Sequence, residues 1–128
     1  MSAKRQHVVS WFEIPASDLH RAKAFYQTIF EIEMVDFELP NGLKMALFPT
    51  GENGVGGAIC QHKDFYFPGN KGPVVYLNAN PDLQMVLSKI ESAGGKVLVP
   101  KTQISPENGF MAVFEDCEGN RMALHSVS

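Results

Sequence analysis

The sequence predicts an α+β fold in which one βαβββ unit is written twice within a single domain, residues 1–128. Three observations carry this. Two helical segments each follow a β-rich run, and each is followed by three more strand-like runs. The halves also match at an offset of 64 residues, with Ser17-Asp18-Leu19 opposite Pro81-Asp82-Leu83. The expected modules cover residues 7–61 and 72–127. A duplicated sheet that curls on itself leaves a cavity between its copies.

The run Val8-Val9-Ser10-Trp11-Phe12-Glu13-Ile14 is β-branched and aromatic and stops at Pro15, which predicts the first strand. Ser17 is placed to cap the helix that follows. From Asp18, an acid in the first turn, the apolar residues Leu19, Ala22, Phe25, Tyr26, Ile29 and Phe30 recur at three and four. Strands are then expected at residues 32–38, at 43–48 after Pro40-Asn41-Gly42, and at 55–60 after the turn Gly51-Glu52-Asn53-Gly54. In the second half, residues 73–78 read as a strand, and residues 82–90 as a helix ended by Gly94-Gly95. Strands follow near residues 96–100, 109–115 and 121–126, the last two joined by the turn at 116–120. The connector, residues 61–72, carries Phe65-Tyr66-Phe67 and is a linker or a lid.

Composition bounds the function. The chain has 128 residues, 45% hydrophobic and 20% charged, enough for one buried core. A net charge of −3 with scattered Lys and Arg gives no footprint for a phosphate backbone, so no nucleic-acid partner is expected. Only a short strand-like stretch follows the charged opening residues, so no membrane segment is expected and the location is expected to be cytoplasmic. Cys60 and Cys117 lack CxxC spacing and are expected to stay reduced, with Cys117, in a turn, the more oxidisable. Gly51 to Gly57 is glycine-rich but precedes neither Lys-Ser/Thr nor a helix, so it is no phosphate cradle. His7, His20, His62 and His125 have no short ligand spacing, and Ser10 and Ser126 have no neighbouring base.

The runs Trp11-Phe12-Glu13-Ile14-Pro15, Asp18-Leu19, Arg21-Ala22-Lys23-Ala24-Phe25-Tyr26, Gly54-Val55-Gly56-Gly57-Ala58 and Val74-Val75-Tyr76-Leu77-Asn78 occur in order, followed by Gly94-Gly95-Lys96-Val97, Pro100-Lys101-Thr102 and Glu118-Gly119-Asn120-Arg121. Together they resemble the vicinal oxygen chelate superfamily, most of all its glyoxalase and bleomycin-resistance group. The resemblance implies paired βαβββ modules forming a curved, cup-shaped mixed sheet, in a homodimer. It also implies four metal-ligand positions, which fall here on Trp11, on Gly57 or Ala58, on Val74 and on Ala123. None of these side chains offers a donor to a metal, so neither metal nor other cofactor is expected.

Strand alternation then sends Val9 and Glu13 inward with Trp11, Tyr76 with Val74, and Arg121 and His125 with Ala123, leaving Phe12 and Ile14 to pack beneath the helices. The expected site is an aromatic-walled pocket for a small molecule, with Trp11, Val74, Tyr76, Arg121 and Ala123 as binding residues. Glu13, a carboxylate in an apolar strand, is either paired, with Arg121 or across a dimer, or a general base; His125 is its candidate acid/base partner. Two classes of function follow. One is a protein that binds a small organic molecule without changing it. The other is a metal-independent lyase or isomerase acting on a carbonyl metabolite, with Arg121 or Tyr76 holding the oxyanion. A displaced metal site would have to draw on Glu13, His125 and His62, as a glyoxalase-type enzyme with moved ligands.

Overall fold

Alternation along the first strand, β1 (Trp11–Pro15), buries Ile14 and half-buries Phe12 while leaving Trp11 and Glu13 on the opposite face. The computed structural model describes residues 6–128. After β1 come α1 (Leu19–Phe30), β2 (Val35–Glu38), β3 (Lys44–Leu47) and β4 (Gly56–Gln61). The second module repeats the order with β5 (Tyr76–Asn78), α2 (Gln84–Ile90), β6 (Lys96–Ser105), β7 (Gly109–Glu115) and β8 (Arg121–Ser126). The α+β class and the doubled βαβββ order are as the sequence predicts.

Each module builds its own open, four-stranded mixed sheet, ordered β1-β4-β3-β2 and β5-β8-β7-β6. In both, the first strand pairs parallel with the last and the other pairs are antiparallel. The helices pack against each other, and Phe25, Tyr26 and Ile29 of α1 share one core with Ile90 of α2 and with Phe114 and Leu124 of the second sheet. The other face of the first sheet carries a small second cluster, Met45, Ala58 and Cys60, covered in part by Tyr66.

Several boundaries differ from the sequence expectation, each for a local reason. Asp18, not Ser17, caps α1: its carboxylate accepts the backbone N–H of Arg21 at 3.1 Å, while the Ser17 hydroxyl donates to Glu118. Glu31 ends α1 in the left-handed region at φ 54°, and the side chain of Gln27 accepts the N–H of Met34, so β2 starts only at Val35. Val8 and Val9 are exposed ahead of β1, and the ladder to β4 begins with Trp11 opposite Gly56. Pro15 lies inside β1 because β1 is an edge strand, where a missing N–H costs no ladder bond; its carbonyl accepts from Asn120. The strand β6 runs on through Pro100 to Ser105 as an edge strand with three register shifts against β7.

Candidate functional site

On the open face of the first sheet, Trp11 and Glu13 stand two residues apart on β1, and the indole Nε1 donates to Glu13 Oε2 at 3.2 Å. The indole has room because its strand partner is Gly56; a Cβ there would come within 3.0 Å of the ring. Tyr66, from the connector, donates its hydroxyl to the other carboxylate oxygen of Glu13. That bond raises the Tyr66 pKa, with burial adding to the shift, so the phenol stays a donor. Beneath them burial pushes the Cys60 thiol up to about 12, with the charge of Glu13 adding to it.

Sequence reasoning does not single out Tyr66. The backbone N–H groups of Phe65 and Tyr66 both bond back to the His62 carbonyl, a turn that leaves Phe65 and Phe67 each 70% exposed and half-buries Tyr66 between them. The expected pairing of Glu13 with Arg121 is not formed. Arg121 Nη2 donates instead to the Gly72 carbonyl at 2.7 Å.

The second sheet presents Tyr76, 53% exposed, opposite a fully buried Ala123, and Asn78 opposite His125. The ring of His125 is held by the carbonyl of Asn108, with Nε2 to oxygen at 2.7 Å. His125 therefore makes no pair with Glu13. It stands four residues beyond Arg121 on β8, roughly 13 Å along a strand.

The seven residues expected to share one pocket are divided. A cavity of about 790 Å³ opens between the chain ahead of β1, the end of α1, the β3–β4 loop and β5; Val74 and Tyr76 line it with Val9, Phe12, Phe30 and Phe48. Its volume lies in the range of small-molecule sites. Glu13 and Arg121 line a second cavity of about 150 Å³, with Lys71 and Asn120. Trp11, Ala123 and His125 line neither. The division arises because β1 and β5 are edges of separate sheets, so the gap between modules is not roofed by one continuous strand ladder.

A turn ties the modules together beside this gap. The buried carboxylate of Asp116 accepts the Tyr26 hydroxyl at 2.7 Å and the backbone N–H groups of Glu118 and Asn120, each at 2.9 Å. Burial and Asp116 together raise the Tyr26 pKa well above its ordinary value. Glu118, its side chain 1% exposed, accepts from Ser17, Asp18 and Arg21 at the start of α1. Burial pushes this carboxyl up, but the donors outweigh it and the net pKa falls below 4.5.

A family model described as the glyoxalase/bleomycin resistance protein/dioxygenase superfamily matches residues 6–124. The chain belongs to this superfamily. No curated protein matches its sequence. Among solved structures it is similar in fold to a glyoxalase-related enzyme from Fulvimarina pelagi (TM-score 0.69, 17% identity, 95% of this chain and 88% of that one). It is similar to a mutant of glyoxalase I from Zea mays (TM-score 0.69, 15% identity, 91% of this chain and 45% of that one). It also resembles a mutant of FosX, a fosfomycin resistance protein from Listeria monocytogenes, complexed with Mn(II) and 1S,2S-dihydroxypropylphosphonic acid (TM-score 0.61, 18% identity, 94% of this chain and 90% of that one).

The four positions that the resemblance assigns to metal ligands hold Trp11, Val74, Ala123 and, on β4, Ala58, since Gly57 lies beneath Phe12 on the core face. None has a side chain with a lone pair suited to a divalent ion. The displaced set does not converge either: His62 is held by the Asn41 carbonyl and His125 by that of Asn108. Among the described residues no three His, Cys, Asp or Glu side chains are grouped to hold an ion. These residues do not fit the superfamily's metal.

Proposed function

We propose that this chain binds a small organic molecule in the cleft between its modules, without the superfamily's metal. One observation carries the reading: the cavity of about 790 Å³ has mostly aliphatic and aromatic walls, with Thr50 and Asn78 as polar exceptions. We further propose that the chain acts as a homodimer in the cytoplasm. Exposed Trp11, Val35 and Phe37 stand on the open face of the first sheet, and Tyr76 and Val99 on that of the second. Two apolar sheet faces of this kind are what a second copy would cover.

The test is a small-molecule library screened by thermal shift against the wild type and Val74→Trp. Compounds are expected that raise the melting temperature of the wild type and not of the variant, whose own melting curve stays cooperative. A library without hits, or hits indifferent to V74W, would sink the reading. Elemental analysis of the same protein after exposure to zinc, nickel, manganese and iron(II) is expected to show no stoichiometric metal. Light scattering is expected to give twice the chain mass. Retained metal or a monomer would refute the corresponding part.

A second reading is supported by the Glu13–Tyr66 pair, which places a carboxylate and a protonated phenol in contact. A metal-independent lyase or isomerase could use Glu13 to take a proton from a carbonyl substrate and Tyr66 to donate to its oxygen.

A further inference from the structure

The smaller cavity, between β1 and the start of β8, has a charge balance that the larger one lacks. Its charged walls are Glu13, Lys71 and Arg121, two cations against one anion. The anion is already engaged, since its two oxygens accept from Trp11 and Tyr66. The cations are not neutralised: neither Lys71 nor Arg121 forms a salt bridge among the described residues. Arg121 is fixed through Nη2 to the Gly72 carbonyl, and its Nε is buried with no hydrogen-bond partner. The guanidinium thus borders the cavity with its charge unpaired, and the ligand group that best complements it is an oxyanion.

We propose that this cavity is a recognition pocket for the carboxylate of a small α-hydroxy acid, which gives the ligand of the site above its chemical class and so rests on that reading. The carboxylate sits between the Arg121 guanidinium and Lys71, and the hydroxyl donates to a remaining lone pair of Glu13. A cavity of about 150 Å³ has room for a head group and not for a large ligand. A local charge of +1 from these three side chains suits a monoanion better than a phosphate dianion. The rest of a longer ligand would extend along Pro73 and Val75, which border both cavities.

The probe is glycolate, compared with its neutral amide glycolamide and with inorganic phosphate, followed by ¹H–¹⁵N spectra in which the Arg121 Nε–H gives its own resonance. Glycolate is expected to shift that resonance saturably, and glycolamide to leave it in place. Arg121→Lys, which keeps the charge but loses the planar fork of guanidinium donors, is expected to weaken glycolate at least about tenfold. Lys71→Gln, a change at an exposed side chain that leaves the fold alone, is expected to weaken it about threefold. An absent glycolate response, an equal response to glycolamide, binding of phosphate alone, or unchanged binding in both variants would overturn the proposal. Library compounds lost on V74W together with glycolate indifference would leave the proposed function standing and remove only this one.

Discussion

At the scale of single residues, Glu13 separates the two functional readings. Gln in its place still accepts the Tyr66 hydroxyl but cannot take a proton. For ligands of the larger cavity, which Glu13 does not line, Glu13→Gln is expected to change affinity by no more than about threefold, measured by calorimetry. If a substrate is found to turn over, the same variant is expected to lose on the order of 100-fold in kcat. Cys117 is half-buried where Cys60 is fully buried, and burial with the nearby Asp116 carboxylate pushes it up to about 11, so little reactive thiolate forms near neutral pH.

At the scale of elements, the fit between β1 and β4 depends on an absent side chain. A Cβ at Gly57 would stand 2.2 Å from the ring of Phe12, which is packed against the core. Gly57→Ala is therefore expected to destabilise the fold by about 1–3 kcal/mol in urea unfolding, and Phe12→Leu in the same chain to recover part of the loss. Simple additivity of the two changes would show that the ring does not carry the clash. The helices and the strands β7 and β8 are legible in the sequence because their apolar periods run uninterrupted between turn residues. The full length of β6 is not, because Pro100 argues against a strand unless it is known to lie at an edge, and edge position is a property of the sheet. The site is legible residue by residue and not as a set. Alternation puts Trp11 and Glu13 on one face of β1 and Tyr76 with Ala123 on one face of the second sheet, yet their division between cavities depends on how two sheets meet. No strand period encodes that.

At the scale of the whole molecule, the turn from Asp116 to Asn120 makes stability depend on pH. Glu118 titrates below 4.5 in the fold and at its ordinary value in the unfolded chain. A depressed carboxyl pKa stabilises fully above that ordinary value and loses its contribution as pH falls through the folded one. Urea unfolding of the wild type is thus expected to weaken more steeply below pH 4.5 than that of Glu118→Gln, which starts lower at pH 7. Parallel profiles would place the acid sensitivity elsewhere.

That turn also has a meaning in time. Ser17 and Glu118 are 101 positions apart, and Tyr26 and Asp116 are 90. A chain growing on a ribosome acquires the whole first sheet while the Tyr26 hydroxyl still has no acceptor and α1 still has no anchor for Ser17 and Arg21. The first module, though written as a unit, is finished by residues late in the second, so the two copies mature together.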